Sequence, residues 1–62
     1  MLKEKRNQLM YTIINKLGHE NEATIWFCNL CEEIELTEEK NNQLEELLNR
    51  LFDLIKLSNK IQ

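Results

Sequence analysis

Cys28 and Cys31 form a CxxC pair, the arrangement in this 62-residue chain that comes closest to a known chemical motif. Such pairs bind zinc or act as redox dithiols. A structural zinc site takes four ligands. His19 is the only other soft donor, so a complete site would need the cysteine pairs of two chains. In a thioredoxin-like redox dithiol the first cysteine lies at the N-terminus of a helix beside a sheet. Cys28 falls in the middle of an expected helix. We interpret both cysteines as small, semi-buried apolar groups without a cofactor, with zinc binding or redox sensing as an alternative function.

Nucleophilic catalysis is not supported by the remaining residues. His19 is the only histidine and Ser58 the only serine, and the two lie far apart in the sequence. A serine nucleophile needs an adjacent base, so we expect that the chain is not an enzyme.

Acidic residues are concentrated in the middle of the chain, which carries a formal net charge of −3. Residues 18–39 contain seven glutamates and neither lysine nor arginine. These glutamates show no DxD or ExxH spacing, so a solvated surface is their simplest interpretation. Carboxylates on a rigid corner can also bind a basic surface of a larger protein. The candidate residues for that contact are Glu32, Glu33, Glu35, Glu38 and Glu39.

Three helices must position these groups. The chain has no proline and one glycine, and apolar residues recur at helical spacing. Gly18 is expected to end the first helix, and Asn21 and Thr37 to cap the next two. The sequence therefore predicts a single all-α domain over residues 1–62, a helical hairpin plus an N-terminal helix, with helices at about 2–17, 22–35 and 38–61.

The first two helices each carry one apolar stripe. Trp26 and Phe27 are expected to be core anchors, whereas Ile25 falls on the opposite face of its helix, as an isolated exposed residue or part of a second contact surface. Arg6 falls within the first stripe, so its guanidinium is expected to reach solvent at the end of the bundle, or to form an ion pair with another chain. The two stripes comprise Leu2, Leu9, Met10, Ile13, Ile14 and Leu17, and then Ala23, Trp26, Phe27, Leu30, Cys31 and Ile34.

The third helix has an apolar arc of about 160°, wider than one neighbouring helix covers. At about 1.5 Å per residue it is also longer than the other two by roughly two turns or more. We therefore expect it to associate with a second copy of the chain, forming a dimeric helical bundle. The predicted oligomer interface comprises Leu44, Leu47, Leu48, Leu51, Leu54, Ile55 and Ile61.

Other locations and partners are less consistent with the sequence. No apolar run approaches the ~20 residues of a membrane span, and the N-terminal residues lack a signal-peptide pattern, so a cytoplasmic location is expected. A helix-turn-helix nucleic-acid binder is a further alternative. It is disfavoured because Glu38 and Glu39 open the would-be recognition helix. The prediction is a protein-interaction module that is a homo-oligomer and regulates or inhibits a larger protein. The many Asn, Lys and Ile residues suggest a bacterial or phage source.

Overall fold

A computed structural model of the chain describes residues 1–61, and the side chains of residues 1–59. Three helices make up almost all of this part, and no strand occurs in it: α1 spans Leu2–Leu17, α2 spans Glu22–Glu33 and α3 spans Glu38–Ile61. The predicted all-α class, the number of helices and the bounds of α1 and α3 are confirmed. None of the three helices combines the length and the apolar character needed to cross a bilayer.

The predicted helix boundaries have the expected local causes. Gly18 adopts a φ of 87° and donates its backbone N–H to the Ile14 carbonyl at 2.8 Å. A positive φ is open to glycine at little cost. At the start of α2 the side chain of Asn21 accepts a hydrogen bond from the Ala23 N–H at 2.8 Å. The Thr37 hydroxyl accepts one from the Lys40 N–H at 3.1 Å at the start of α3. These caps satisfy backbone donors that the helices themselves leave unpaired.

Each helix contributes two fully buried apolar residues to one core. α1 packs against both α2 and α3, whereas α2 and α3 contact each other much less. Burial of these side chains from three helices is the main source of stability in so short a chain. The six residues are Leu9 and Ile13, Phe27 and Cys31, and Leu44 and Leu48.

The prediction that Trp26 is a core anchor is wrong. Phe27 is 0% exposed, but Trp26 is 51% exposed. The buried positions of α2 are Thr24, Phe27 and Cys31, with spacings of three and four residues. Trp26 precedes Phe27 by about 100° around the helix and therefore leaves the contact zone. Ile25 is also exposed, at 49%.

α2 is shorter than the predicted 22–35. Its last residue is Glu33, and Ile34 already has an extended backbone, with ψ at 139°. In a longer helix the Cys31 carbonyl would accept a hydrogen bond from the backbone N–H of Glu35. It accepts one from the Arg6 side chain instead. A long-range side-chain contact therefore ends the helix where local propensity would continue it.

α3 has two apolar faces. One face holds Leu44 and Leu48, which are 2% and 3% exposed and belong to the core. The other face continues towards Leu54 and Leu57, which are 62% and 56% exposed. The 24 residues of α3 span about 36 Å, close to the 39 Å long axis of the whole molecule. Its C-terminal part therefore extends beyond α1 and α2.

Candidate functional site

A buried arginine, Arg6, connects all three helices. Arg6 on α1 is 4% exposed. Its guanidinium donates to three carbonyls in the last turn of α2 and just after it, those of Cys31 at 2.5 Å, Ile34 at 2.9 Å and Glu35 at 2.8 Å. The last carbonyls of a helix lack backbone partners and carry partial negative charge, so a cation stabilises the Cys31 carbonyl. The Glu35 carbonyl, beyond the helix, also accepts a hydrogen bond from the Thr37 N–H at 3.1 Å. The prediction that Arg6 reaches solvent is therefore wrong.

Asn41 connects the same arginine to α3. It is 2% exposed, accepts a hydrogen bond from Arg6 Nε at 2.6 Å and donates one to the Leu2 carbonyl at 3.1 Å. Every polar group of this side chain thus has a partner inside the chain, and buried networks with all partners satisfied favour a single arrangement. The connection between α2 and α3 is therefore held at both sides, by Arg6 on the inside and by the Thr37 cap at the start of α3.

Five carboxylates surround this connection, and we call them the acidic corner. All five are exposed. The only ion pair in the part of the chain that the structure describes joins Lys5 to Glu45 at 3.3 Å, between α1 and α3. The carboxylates of the corner thus have no intramolecular ion pairs to break before contacting another molecule. The acidic corner comprises Glu32, Glu33, Glu35, Glu38 and Glu39.

The CxxC cysteines are both free thiols, with Cys31 buried and Cys28 partly buried. Burial raises the pKa of the Cys31 thiol to about 11, and the nearby Arg6 guanidinium opposes only part of that effect. Burial and the Glu32 carboxylate also raise the pKa of Cys28. Both groups are therefore protonated near neutral pH, whereas redox dithiols and zinc ligands act as thiolates. Within the described residues, no three His, Cys, Asp or Glu side chains are grouped to hold a metal ion.

The raised Cys31 pKa predicts a loss of stability at alkaline pH. The thiol titrates at about 11 in the folded chain and at its ordinary 9.0 once unfolded. Between these values the folded state binds more protons, so the free energy of unfolding falls as pH rises. Urea denaturation at a series of pH values should show a steeper fall in the native chain than in Cys31→Ala, which removes this group while leaving the lysines in place. Parallel curves for the two proteins would contradict the assignment.

The residues of the predicted oligomer interface fall into separate groups. Leu44 and Leu48 are packed within a single chain, and Leu47, Leu51 and Ile55 are partly buried. Leu54 is exposed, and the side chain of Ile61 lies outside those that the structure describes. Leu57, which the prediction did not include, is also exposed. Together with Leu47 and Leu51, which are packed partly against the core, the two exposed leucines form a stripe along α3 that we call the α3 stripe. Its members are Leu47, Leu51, Leu54 and Leu57.

The roles of Arg6 and Asn41 in forming the acidic corner were not predicted. One signal was available, because a charged residue inside an apolar stripe demands partners. The partner groups were harder to find. Three of the four acceptors are backbone carbonyls, which every residue carries, so no residue type marks them in the sequence.

Comparison of the chain with protein-family models, with curated proteins and with solved structures finds no match.

Proposed function

We propose that this chain is a non-enzymatic protein-interaction module of the cytoplasm, which self-associates through the α3 stripe and regulates or inhibits a larger protein. The contact with that protein is made by the acidic corner. The two surfaces lie on different parts of the molecule, so one chain can use both at once.

The acidic corner is the observation that carries this proposal. Its carboxylates are exposed, and they surround a connection that Arg6 and Asn41 hold in place. A preorganised surface loses little conformational entropy on binding. Complementary charge also speeds the encounter and excludes partners of the wrong sign. A basic protein surface therefore suits the corner, whereas the phosphates of a nucleic acid would be repelled by it.

The α3 stripe supports self-association. Leu54 and Leu57 are more than half exposed, and the spacing of Leu47, Leu51 and Leu54 follows the four-three pattern of helices that pack along a seam. A second copy supplies an identical stripe, so a two-fold arrangement covers both. For a chain that buries only about 60% of its unfolded surface, such association is a common source of added stability.

The acidic corner can be tested with two variants that change the net charge equally. Partners are captured from extracts of the source cell by the immobilised chain. The double variant Glu35→Gln/Glu39→Gln changes the corner, and the control Glu20→Gln/Glu46→Gln changes exposed carboxylates elsewhere. We expect the corner variant to lower the affinity for the captured protein by about tenfold, and the control to leave it unchanged. Equal losses in both variants would show that only net charge matters and would contradict the proposal.

A further inference from the structure

A groove of about 350 Å³ lies between α1 and α2. Met10 and Tyr11 from α1 and Ile25 and Asn29 from α2 line it. Tyr11 and Ile25 are 62% and 49% exposed, so two large apolar side chains border an open groove. Ile25 therefore shares this exposed surface with another large side chain, Tyr11.

The groove is separate from the surfaces that α3 covers. Lys5 of α1 pairs with Glu45 of α3, and Lys16 lies 5.9 Å from the centre of the Phe52 ring. These α1 residues are on a different face from Met10 and Tyr11, and none of the described α3 residues lines the groove. An occupant could therefore bind there without displacing α3 or competing with the α3 stripe.

A buried hydroxyl in the groove wall has no hydrogen-bond partner within the described part of the chain. Thr24 is 2% exposed and lines the groove, yet its Oγ1 neither donates nor accepts a hydrogen bond. The exposed Thr12 of α1, in contrast, donates to the Gln8 carbonyl at 2.8 Å. Buried polar groups nearly always have a partner, so the Thr24 hydroxyl is an unused hydrogen-bonding group on a residue that lines the groove.

The carboxylate in the groove favours a positively charged ligand. Glu32 is the only carboxylate that lines it, and His19 is the only basic side chain there, because neither lysine nor arginine lines it among the described residues. Lys3 lies in the adjoining groove but forms no ion pair with Glu32 within the described residues. An arginine fits this combination well, because its planar guanidinium stacks on an aromatic ring and donates to several oxygens at once. The groove offers Tyr11 as the ring, with oxygens from Glu32 and Asn29.

We propose that the groove between α1 and α2 binds an arginine side chain of the partner protein. The guanidinium lies against Tyr11 and donates to the Glu32 carboxylate and the Thr24 hydroxyl, and the aliphatic stem packs on Met10 and Ile25. This assignment rests on the proposed function, because it supplies one specific contact for the basic partner. Glu32 belongs to both the groove and the acidic corner, so the two surfaces are continuous.

The test uses N-acetyl-arginine N-methylamide as a probe, with the corresponding citrulline amide as its uncharged control. Each is titrated into ¹⁵N-labelled protein at constant ionic strength. We expect the arginine probe to shift the amide signals of Tyr11, Thr24, Ile25 and Asn29, and the citrulline probe to shift them little. Glu32→Gln should weaken the binding by about threefold or more. The matched control Glu33→Gln, on the next residue of the same helix and outside the groove lining, should leave it unchanged.

Thr24→Val separates the groove from a general attraction to negative charge. This variant keeps the shape of the side chain and the net charge, so it should weaken arginine binding while raising the melting temperature of the free protein. Equal losses in Glu32→Gln and Glu33→Gln, or shifts spread over the whole acidic corner, would overturn the groove assignment. That result would leave the proposed function intact, because the function is tested by Glu35→Gln/Glu39→Gln and capture of the partner. Equal binding of the arginine and citrulline probes would also overturn the assignment of the groove as an arginine site.

Discussion

Replacing Arg6 with alanine is expected to lower the free energy of unfolding by about 3 kcal/mol or more, because it leaves buried acceptors without donors. Arg6 is 4% exposed, and its guanidinium donates to three backbone carbonyls and the Asn41 side chain. Within the described residues, only the Glu35 carbonyl keeps another donor, the Thr37 N–H. For 62 residues the total stability is only about 3 to 9 kcal/mol. Urea denaturation at fixed protein concentration, followed by circular dichroism, should therefore show a much lower unfolding midpoint than that of the unmodified chain.

Two controls distinguish the hydrogen bonds of Arg6 from its charge. Lys3→Ala removes an exposed cation from the same helix, and we expect it to change the stability by less than about 0.5 kcal/mol. Arg6→Lys keeps the charge but loses the planar arrangement of donors, so it should recover only part of the lost stability. If Arg6→Lys recovered the full free energy of unfolding, a positive charge near the end of α2 would be enough to stabilise the fold, and the hydrogen bonds of Arg6 would not be needed. Unchanged stability in Arg6→Ala would contradict the network altogether.

If the chain self-associates as proposed, placing two glutamates in the α3 stripe, as Leu54→Glu/Leu57→Glu, should prevent that association without unfolding the chain. Both leucines are more than half exposed in the single chain, so the monomer core does not depend on them. Burial of a leucine contributes about 1.5 to 3 kcal/mol, so losing two should weaken association by about a hundredfold or more. The melting temperature of the unmodified chain should rise with protein concentration, and that of the variant should not.

Ile25→Glu is the matched control for the α3 stripe. Ile25 is 49% exposed, on a helix that the stripe does not include, so the same chemical change should leave association unaffected. If Ile25→Glu prevents association to the same extent as the α3 variant, the interface does not lie on the α3 stripe. If the α3 variant loses its helical signal at every concentration, then the monomer is not stable on its own.

Much of this fold was predictable because its causes are local. Gly18, Asn21 and Thr37 mark the helix ends through their own backbone and side-chain preferences. The core residues Ile13 and Leu44 lie in the apolar stripes that helical periodicity identifies. Periodicity does not show where a neighbouring helix crosses the stripe. The buried face of α2 holds Thr24, Phe27 and Cys31, and Trp26 lies outside that face.

The remaining features depend on contacts between residues far apart in the chain. Arg6 and the carbonyl of Glu35 are 29 positions apart, and nothing local indicates that they meet. The end of α2 was misplaced for the same reason, since Arg6 takes the carbonyl of Cys31. The exposure of the carboxylates of the acidic corner was predicted, but the groove beside them was not. It depends on the packing of α1 against α2, which brings Tyr11 and Glu32 to the same surface.

The mass of the purified chain in solution tests the central proposal most directly, because we propose that a second copy covers the exposed leucines of α3. One chain has a mass of 7.5 kDa. Sedimentation equilibrium over a range of micromolar concentrations, with reductant and chelator present, should give twice that mass or a higher multiple. It should fall towards the single-chain value on dilution. A single chain at every concentration would contradict self-association through the α3 stripe.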